Sequence, residues 1–198
     1  MLKILRSSTW GFESAILGMR NPLNSWQKSD SDFSRNVIGE KDMELCKKLI
    51  ASGSEHRKFL RMIHVQVDMN APLFWWKQID TYKVGTTANS CSTMHTLTKR
   101  AFSSFDFSFE DLDEMEAAEE IAKLEDIRVN YIVTKDPAVW RKLIALLPSA
   151  YMQIRTLDLN YETLMNIYRQ RRNHKLDEWH VFCNWIETLP YMKEFLDA

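Results

Sequence analysis

The order of patterned segments predicts an α+β protein, mainly helical, with a small mixed or antiparallel sheet and one domain across residues 1–198. Three observations carry this reading. Ile63, Val65, Val67 and Met69 alternate with Met62, His64, Gln66 and Asp68, the period of a half-buried strand, and Met152 to Leu159 alternates in the same way. Apolar residues recur every three or four positions over Glu40–Ala51 and from about Glu110 to Val133, the period of helices packed on one face. The 198 residues, 45% hydrophobic and 27% charged, suffice for one core in an ordinary globular composition.

Taken in order, Leu2 to Leu5 forms a short strand and Phe12 to Met19 a short helix, stopped at Arg20-Asn21-Pro22 because a residue before proline avoids the helical region. Asn24 to Asn36, rich in Ser and Asp, is a surface loop in which Trp26 and Phe33 are the docking candidates. Helix 40–51 places Met43, Cys46 and Ile50 on its apolar stripe, so Cys46 is core rather than nucleophile; acidic residues open the helix, Lys47 and Lys48 lie near its end and Gly53 closes it. Pro72 opens the next helix, with Leu73, Trp76 and Ile79 on one face, and the small residues from Gly85 to Thr93 form a loop. Ser108 caps the long helix, with Asp111 at the capping-box position and the acidic run Glu110–Glu120 as its solvated face. Asp136 and Pro137 start a helix that covers Val139–Leu147 and stops at Pro148. Asn160 caps a helix through about Arg171, and another covers Leu176–Ile186.

A net charge of -1 gives no electrostatic case for a nucleic acid or an anionic membrane. No apolar run approaches the ~18 residues of a membrane span. Cys46, Cys91 and Cys183 show no metal-ligand spacing, so no metal is expected. Their odd number, with no secretory apolar segment at the start, leads to the expectation of a cytoplasmic protein.

The stretch with most chemistry is Pro72–His95, PLFWWKQIDTYKVGTTANSCSTMH. An aromatic helix start there is followed by Lys77, Gln78, Tyr82 and Lys83, then by hydroxyls, an amide and closely spaced backbone N–H groups. That set suits a phosphate or a heterocycle; a buried helix followed by a polar surface turn is the plainer alternative. His64 reads as a hydrogen-bonded structural group.

This stretch resembles the signature region of the flavin-dependent thymidylate synthases. In that family a Pro-hydrophobic run leads to Arg-Gln-Trp, an Arg-His-Arg triplet, a spacer, Asn-Glu, and a Ser followed by Arg-Tyr. Here the run is Pro72-Leu73-Phe74, Lys77-Gln78 stands for the Arg-Gln pair, Thr81-Tyr82-Lys83 for the triplet, and Asn89 and Ser92 for the Asn and the Ser. Glu55-His56 is similar to the family's Glu-His landmark, and Leu147-Pro148, Asn160 and Arg171 follow in the family's order, so the likeness spans the chain from about Arg20 onward. The resemblance implies a homotetrameric flavoprotein of nucleotide biosynthesis. In such a protein an FAD-dependent methyltransferase reaction carries a one-carbon unit from methylenetetrahydrofolate to dUMP or a related pyrimidine nucleotide, with NADPH as electron source. It also implies His56, Tyr82, Lys83, Asn89 and Asn160 at the FAD, and Gln78, Ser92 and Arg171 at the nucleotide, where Arg155 is expected as a substitute charge.

The departures concern cations. Thr81-Tyr82-Lys83 retains one of three basic residues, Ser90 replaces the signature glutamate, Met94 its arginine, and Glu162 an arginine of the family's phosphate pocket. No arginine follows Arg172; Arg155, Arg169, Arg171, Arg172, His174 and Lys175 are the substitute charges. Two other readings stay open: a noncatalytic homologue that binds a nucleotide, a flavin or a protein, and a helical module whose Trp and Met residues face a partner.

Overall fold

A computed structural model describes all residues 1–198. In chain order it contains β1 (Lys3–Trp10), α1 (Phe12–Gly18), α2 (Glu40–Ala51), β2 (His64–Pro72), α3 (Leu73–Ile79), β3 (Thr86–Ser90) and α4 (Thr93–Thr96). There follow α5 (Glu114–Thr134), α6 (Pro137–Leu146), β4 (Met152–Asn160), α7 (Tyr161–Arg171), α8 (Asp177–Glu187) and α9 (Met192–Leu196). The architecture is α+β and mainly helical, with one four-stranded sheet in the order β1-β2-β4-β3. Its strands are antiparallel. Trp10 stacks on His64 while Arg6 pairs with Asp68, and His64 bonds Asp158 while Asp68 accepts from Thr156. Numbers therefore fall on one strand as they rise on the next. The alternation in β2 is realised: Val65, Val67, Met69 and Ala71 are buried while Gln66 stays exposed.

The chain divides into two compact units. The first comprises Met1–Lys3, Met69–Thr81 and Asn89–Arg155; the second comprises Ile4–Asp68, Tyr82–Ala88 and Thr156–Ala198. In the first, α5 and α6 pack together over Leu97, Phe107, Leu124 and Leu143, while Trp75, Trp76 and Ile79 bury the inner face of α3. Arginine and aromatic chemistry is concentrated near α3, where the Trp76 indole donates to the Gln153 carbonyl at 3.0 Å.

In the second unit α7 packs on α8, and Tyr161, Trp179, Phe182 and Phe195 are fully buried. The Ser/Asp-rich loop is fastened to α2. Asp42, sealed from solvent, receives Arg20 Nε at 2.6 Å, Ser29 Oγ at 2.5 Å and Ser31 Oγ at 2.6 Å. The Asp30 carboxylate accepts from the Lys41 and Asp42 amides, so it caps α2 where the N-cap residue, Gly39, has no side chain. A Cβ on Gly39 would lie 2.3 Å from that carboxylate. Phe33 is half-buried in this arrangement. Trp26 is not an anchor: it is 55% exposed, its indole donating to Asn21 Oδ1.

Several sequence expectations need correction. The Gly85–Thr93 loop is instead strand β3 and helix α4, because the Cys91 amide donates to the Ile154 carbonyl and the segment pairs along β4 as an exposed edge. Strand β1 runs on to Trp10 although Arg6-Ser7-Ser8-Thr9 carries no apolar alternation; backbone pairing, which composition does not encode, holds it. Ser108 does not cap α5. Its amide donates to the Ala150 carbonyl and its neighbour Phe107 bridges Tyr151, so the chain stays extended there. The helix starts four residues after Glu110, where Asp113 accepts from the Met115 and Glu116 amides and Glu116 reaches back to the Asp113 amide. Helix α9 was not anticipated at all. The caps at Asp136 and Asn160 are found as expected, as is the burial of Cys46, which pushes its thiol up to about 12. No helix is long and apolar enough to cross a membrane.

Candidate functional site

In the second unit the signature turn meets the end of α7. Helix α3 stops at Ile79, so Tyr82 and Lys83 lie in the following turn rather than on a helical face. Gly85 has φ +68°, and a Cβ there would fall 2.3 Å from Asn160 Nδ2, so only glycine lets the turn lie against the start of α7. Thr163 Oγ1 donates to the Val84 carbonyl at 2.9 Å and completes the attachment. The Tyr82 hydroxyl donates to Gln170 Oε1 at 2.9 Å and accepts from Arg171 Nε at 2.8 Å. The Arg171 guanidinium lies 4.9 Å from the Trp179 ring centroid and 5.7 Å from that of Tyr82. Arg171 has no carboxylate partner, so its charge is held by π faces and remains unneutralised. Beside it, desolvation holds the His174 pKa below the ordinary value, helped by the positive charges of Arg171, His180 and Lys175.

The start of α7 is opposite in character. Glu162 takes Arg57 Nε and Nη2, each at 2.9 Å, with both side chains largely buried. Placed by sequence where a phosphate-pocket arginine is expected, Glu162 is thus answered within its own chain. Sequence reasoning missed Arg57, although it directly follows Glu55-His56.

In the first unit Arg155 is braced on three sides. Nη1 donates to Asp80 Oδ1 at 2.8 Å, Nε to Gln153 Oε1 at 2.9 Å, and the guanidinium covers the Trp76 ring at 4.6 Å. Gln153 is fixed in turn, its Nε2 donating to the Cys91 carbonyl at 2.8 Å.

Of the nine residues singled out by sequence, eight therefore fall into three groups and Gln78 stands apart. Tyr82 and Arg171 are in contact. Asn160 and Arg155 are committed to structure: Asn160 Oδ1 accepts from the Thr163 amide at 2.9 Å. Lys83, Asn89 and Ser92 present exposed side chains without a hydrogen bond or ion pair, and His56 is exposed 3.8 Å from Glu55. Gln78 is half-buried on α3. Asn89, Gln78, Ser92 and Arg155 belong to the first unit, and His56, Tyr82, Lys83, Asn160 and Arg171 to the second. Thr86 Oγ1, in the signature segment, is buried without a partner.

No protein-family model matches the sequence, and no curated protein matches it in sequence. By structure the chain is similar to thymidylate synthase X from Helicobacter pylori, solved with FAD and dUMP. The likeness covers 99% of this chain and 97% of that one, at a TM-score of 0.78 and 17% identity. A second structure of the flavin-dependent enzyme from Helicobacter pylori, also complexed with FAD and dUMP, is covered to 96% by 98% of this chain, at a TM-score of 0.71 and 16% identity. The chain has the flavin-dependent thymidylate synthase fold.

Proposed function

We propose that this chain, as one functional domain, binds a flavin and a pyrimidine nucleotide. Its reaction class is transfer of a one-carbon unit from methylenetetrahydrofolate to dUMP or a related nucleotide, with NADPH as reductant and altered nucleotide anchors. The observation that carries this reading is the fold likeness over nearly the whole chain to structures that hold FAD and dUMP. FAD, when bound and reduced, supplies the electrons for the transfer. The residues present fit that group by their donor chemistry. Lys83 offers an unneutralised cation for a pyrophosphate, and Asn89 and His56 offer exposed hydrogen-bonding groups for polar ring edges. Tyr82 acts by positioning Arg171. For the nucleotide, Arg171 supplies the charge and Ser92 and Gln78 the hydrogen bonds; Asp80 neutralises Arg155 and weakens its claim on a phosphate. The assembly we assign is a homotetramer, and the location the cytoplasm.

A second reading, a noncatalytic homologue, is favoured by the internal pairing of Arg57 and Arg155 with carboxylates. Absorbance near ~450 nm, the flavin band, together with dTMP formation from dUMP, methylenetetrahydrofolate, NADPH and FAD, separates the two. We expect a yellow protein that binds a pyrimidine nucleotide and forms dTMP slowly. A colourless protein indifferent to added FAD sinks the flavin assignment, and robust dTMP formation sinks the claim of altered anchors. Flavin retention without turnover on any pyrimidine nucleotide makes the second reading the correct one.

A further inference from the structure

A cavity of about 390 Å³ lies wholly within the second unit, between the β1–α1 junction, the turn around Phe33–Ile38, and Pro190–Tyr191. None of the nine residues assigned to flavin or nucleotide lines it. Its size falls in the usual range of about 300–1,000 Å³ for small-molecule sites. Trp10, Phe12, Phe33 and Tyr191 make the lining strongly aromatic. Phe33, a docking candidate by sequence, therefore docks at a cavity wall rather than in the core.

The rings are held from behind. The Tyr191 hydroxyl accepts from the Ile38 amide and donates to the Asn36 carbonyl, each at 2.9 Å, which pins the turn closed by the Asp32–Val37 bridge. With that hydroxyl used, Tyr191 offers the cavity ring surface. Its ring meets the Phe12 ring at 5.8 Å and 68°, so the two planes form a corner. One face of the Trp10 indole is stacked on His64, yet the residue is 42% exposed, so its open surface is the opposite face and the rim. Aromatic faces carry the negative side of the ring quadrupole.

The charges have one sign. Glu13 is the only Asp, Glu, Lys or Arg in the lining, and it is exposed without a hydrogen bond or ion pair. It sits in the first turn of α1, where a full helix dipole brings roughly half a positive charge, so the sum stays negative. Arg35, in the same turn as Phe33, is closed on Asp32. Of the remaining polar side chains, the Thr9 hydroxyl bonds the Tyr161 oxygen and Asn36 contributes a neutral amide.

We propose that this cavity binds a small organic cation through a quaternary ammonium group, held by the aromatic rings with Glu13 as its counter-ion. Ring faces attract such a cation directly, and it needs no hydrogen-bond acceptor. A primary ammonium is disfavoured because it brings three donors, and among the side chains only Glu13 and Asn36 have acceptors to spare. An anion meets the Glu13 charge without a free cation in the lining to offset it. This site is distinct from the flavin and nucleotide residues assigned above and stands whether or not that assignment does.

The test uses the full chain with choline as probe, by calorimetric titration and a co-crystal structure. Its neutral carbon isostere, 3,3-dimethylbutanol, and the primary amine ethanolamine are the controls. Expected are saturable choline binding, at least tenfold weaker binding of the isostere and fivefold weaker binding of ethanolamine. Phe33→Leu, which keeps apolar bulk but removes a ring, and Glu13→Gln should each weaken choline binding at least threefold, while Lys83→Ala leaves it unchanged. Should Phe33→Leu fail to fold, Glu13→Gln carries the same test, since the carboxylate is exposed and unpaired. Absent or non-saturable binding, equal affinity for the isostere or for ethanolamine, or indifference to Glu13→Gln overturns the proposal. A co-crystal structure with choline bound away from Trp10 and Phe12 does so too.

Discussion

The two ends of α7 treat an arginine in opposite ways. At the first turn Arg57 is met by the bidentate Glu162 carboxylate and both charges are largely buried. At the last turn Arg171 is met by a phenol oxygen and two aromatic rings and has no carboxylate. Helix polarity favours both placements, an acid at the start and a cation at the end. A carboxylate cancels the charge it holds, so Arg57 works as a structural clamp. Rings hold a guanidinium without cancelling it, so Arg171 is kept in place and still able to attract an anion. Position in the sequence does not distinguish the two; the partner does.

The strongest test of the clamp idea is its most sealed example, Arg20–Asp42, where Asp42 is 0% exposed. Asp42→Ala leaves the guanidinium buried and releases Ser29 and Ser31, and should lower unfolding free energy by about 3–5 kcal/mol in denaturant titrations. The pH dependence has a definite sign. Burial acts to raise the Asp42 pKa, but the bonds from Ser29, Ser31 and Arg20 together lower it below the ordinary 3.8. A carboxyl lowered on folding contributes stability above its unfolded value, and that contribution disappears as pH falls below about 4. The acid limb of the stability curve should flatten in Asp42→Ala; an unchanged limb would locate the acid sensitivity elsewhere.

Arg57→Ala comes next, at roughly 3 kcal/mol, the lower end for a broken buried pair because water reaches part of both groups. In a double-mutant cycle most of that loss should vanish when Glu162→Leu is also present, since no unpaired charge then remains. Additive losses would show that the pair is not a clamp.

Arg171→Ala should cost less stability, about 1–2 kcal/mol of ring contact. It should nevertheless weaken nucleotide binding more than Arg57→Ala does, read as the ratio of affinities in the two variants. Nearby, His174 carries a lowered pKa, chiefly by desolvation, and its Nδ1 accepts from the Leu176 amide at 3.1 Å. The sign follows: the unfolded chain binds that proton more readily, so this end of α7 loses stability as pH falls below about 6.5. Thermal midpoints of His174→Gln and the parent should converge as pH drops.

Much of the fold could be read from sequence where side chains act through local chemistry. The alternation of Val65, Val67 and Met69, the Asn160 and Asp136 caps, and the core position of Cys46 all follow from neighbours a few residues away. What was illegible depends on distant partners. β3 exists because its backbone pairs with β4, although Thr86–Ser90 carries the residues of a loop. At the site, the cations that could be counted were not the cations that are free. Arg155 reads as a phosphate ligand until Asp80, 75 residues away, is seen to hold it. Glu162 reads as a repulsive charge until Arg57, 105 residues away, answers it.

The smallest expected effect tests a carboxylate answered by backbone rather than by arginine. Both Ser108 and Asp113 precede α5, and composition made Ser108 the cap, but only Asp113 accepts from helix amides, Met115 at 2.9 Å and Glu116 at 2.8 Å. Ser108 instead bonds Glu110 and the chain's own amino terminus on the surface. Asp113→Ala removes an acceptor from two of the four unpaired first-turn amides and a negative charge from the positive end of the helix dipole, and should cost about 1 kcal/mol. Asp113→Asn, which keeps the acceptor but not the charge, should recover most of that loss if hydrogen bonding dominates. Ser108→Ala touches no helix amide and should change stability by less than about 0.5 kcal/mol. A larger loss for Ser108→Ala than for Asp113→Ala would mean that the helix in solution starts near Glu110, as the sequence alone implied, and not at Glu114.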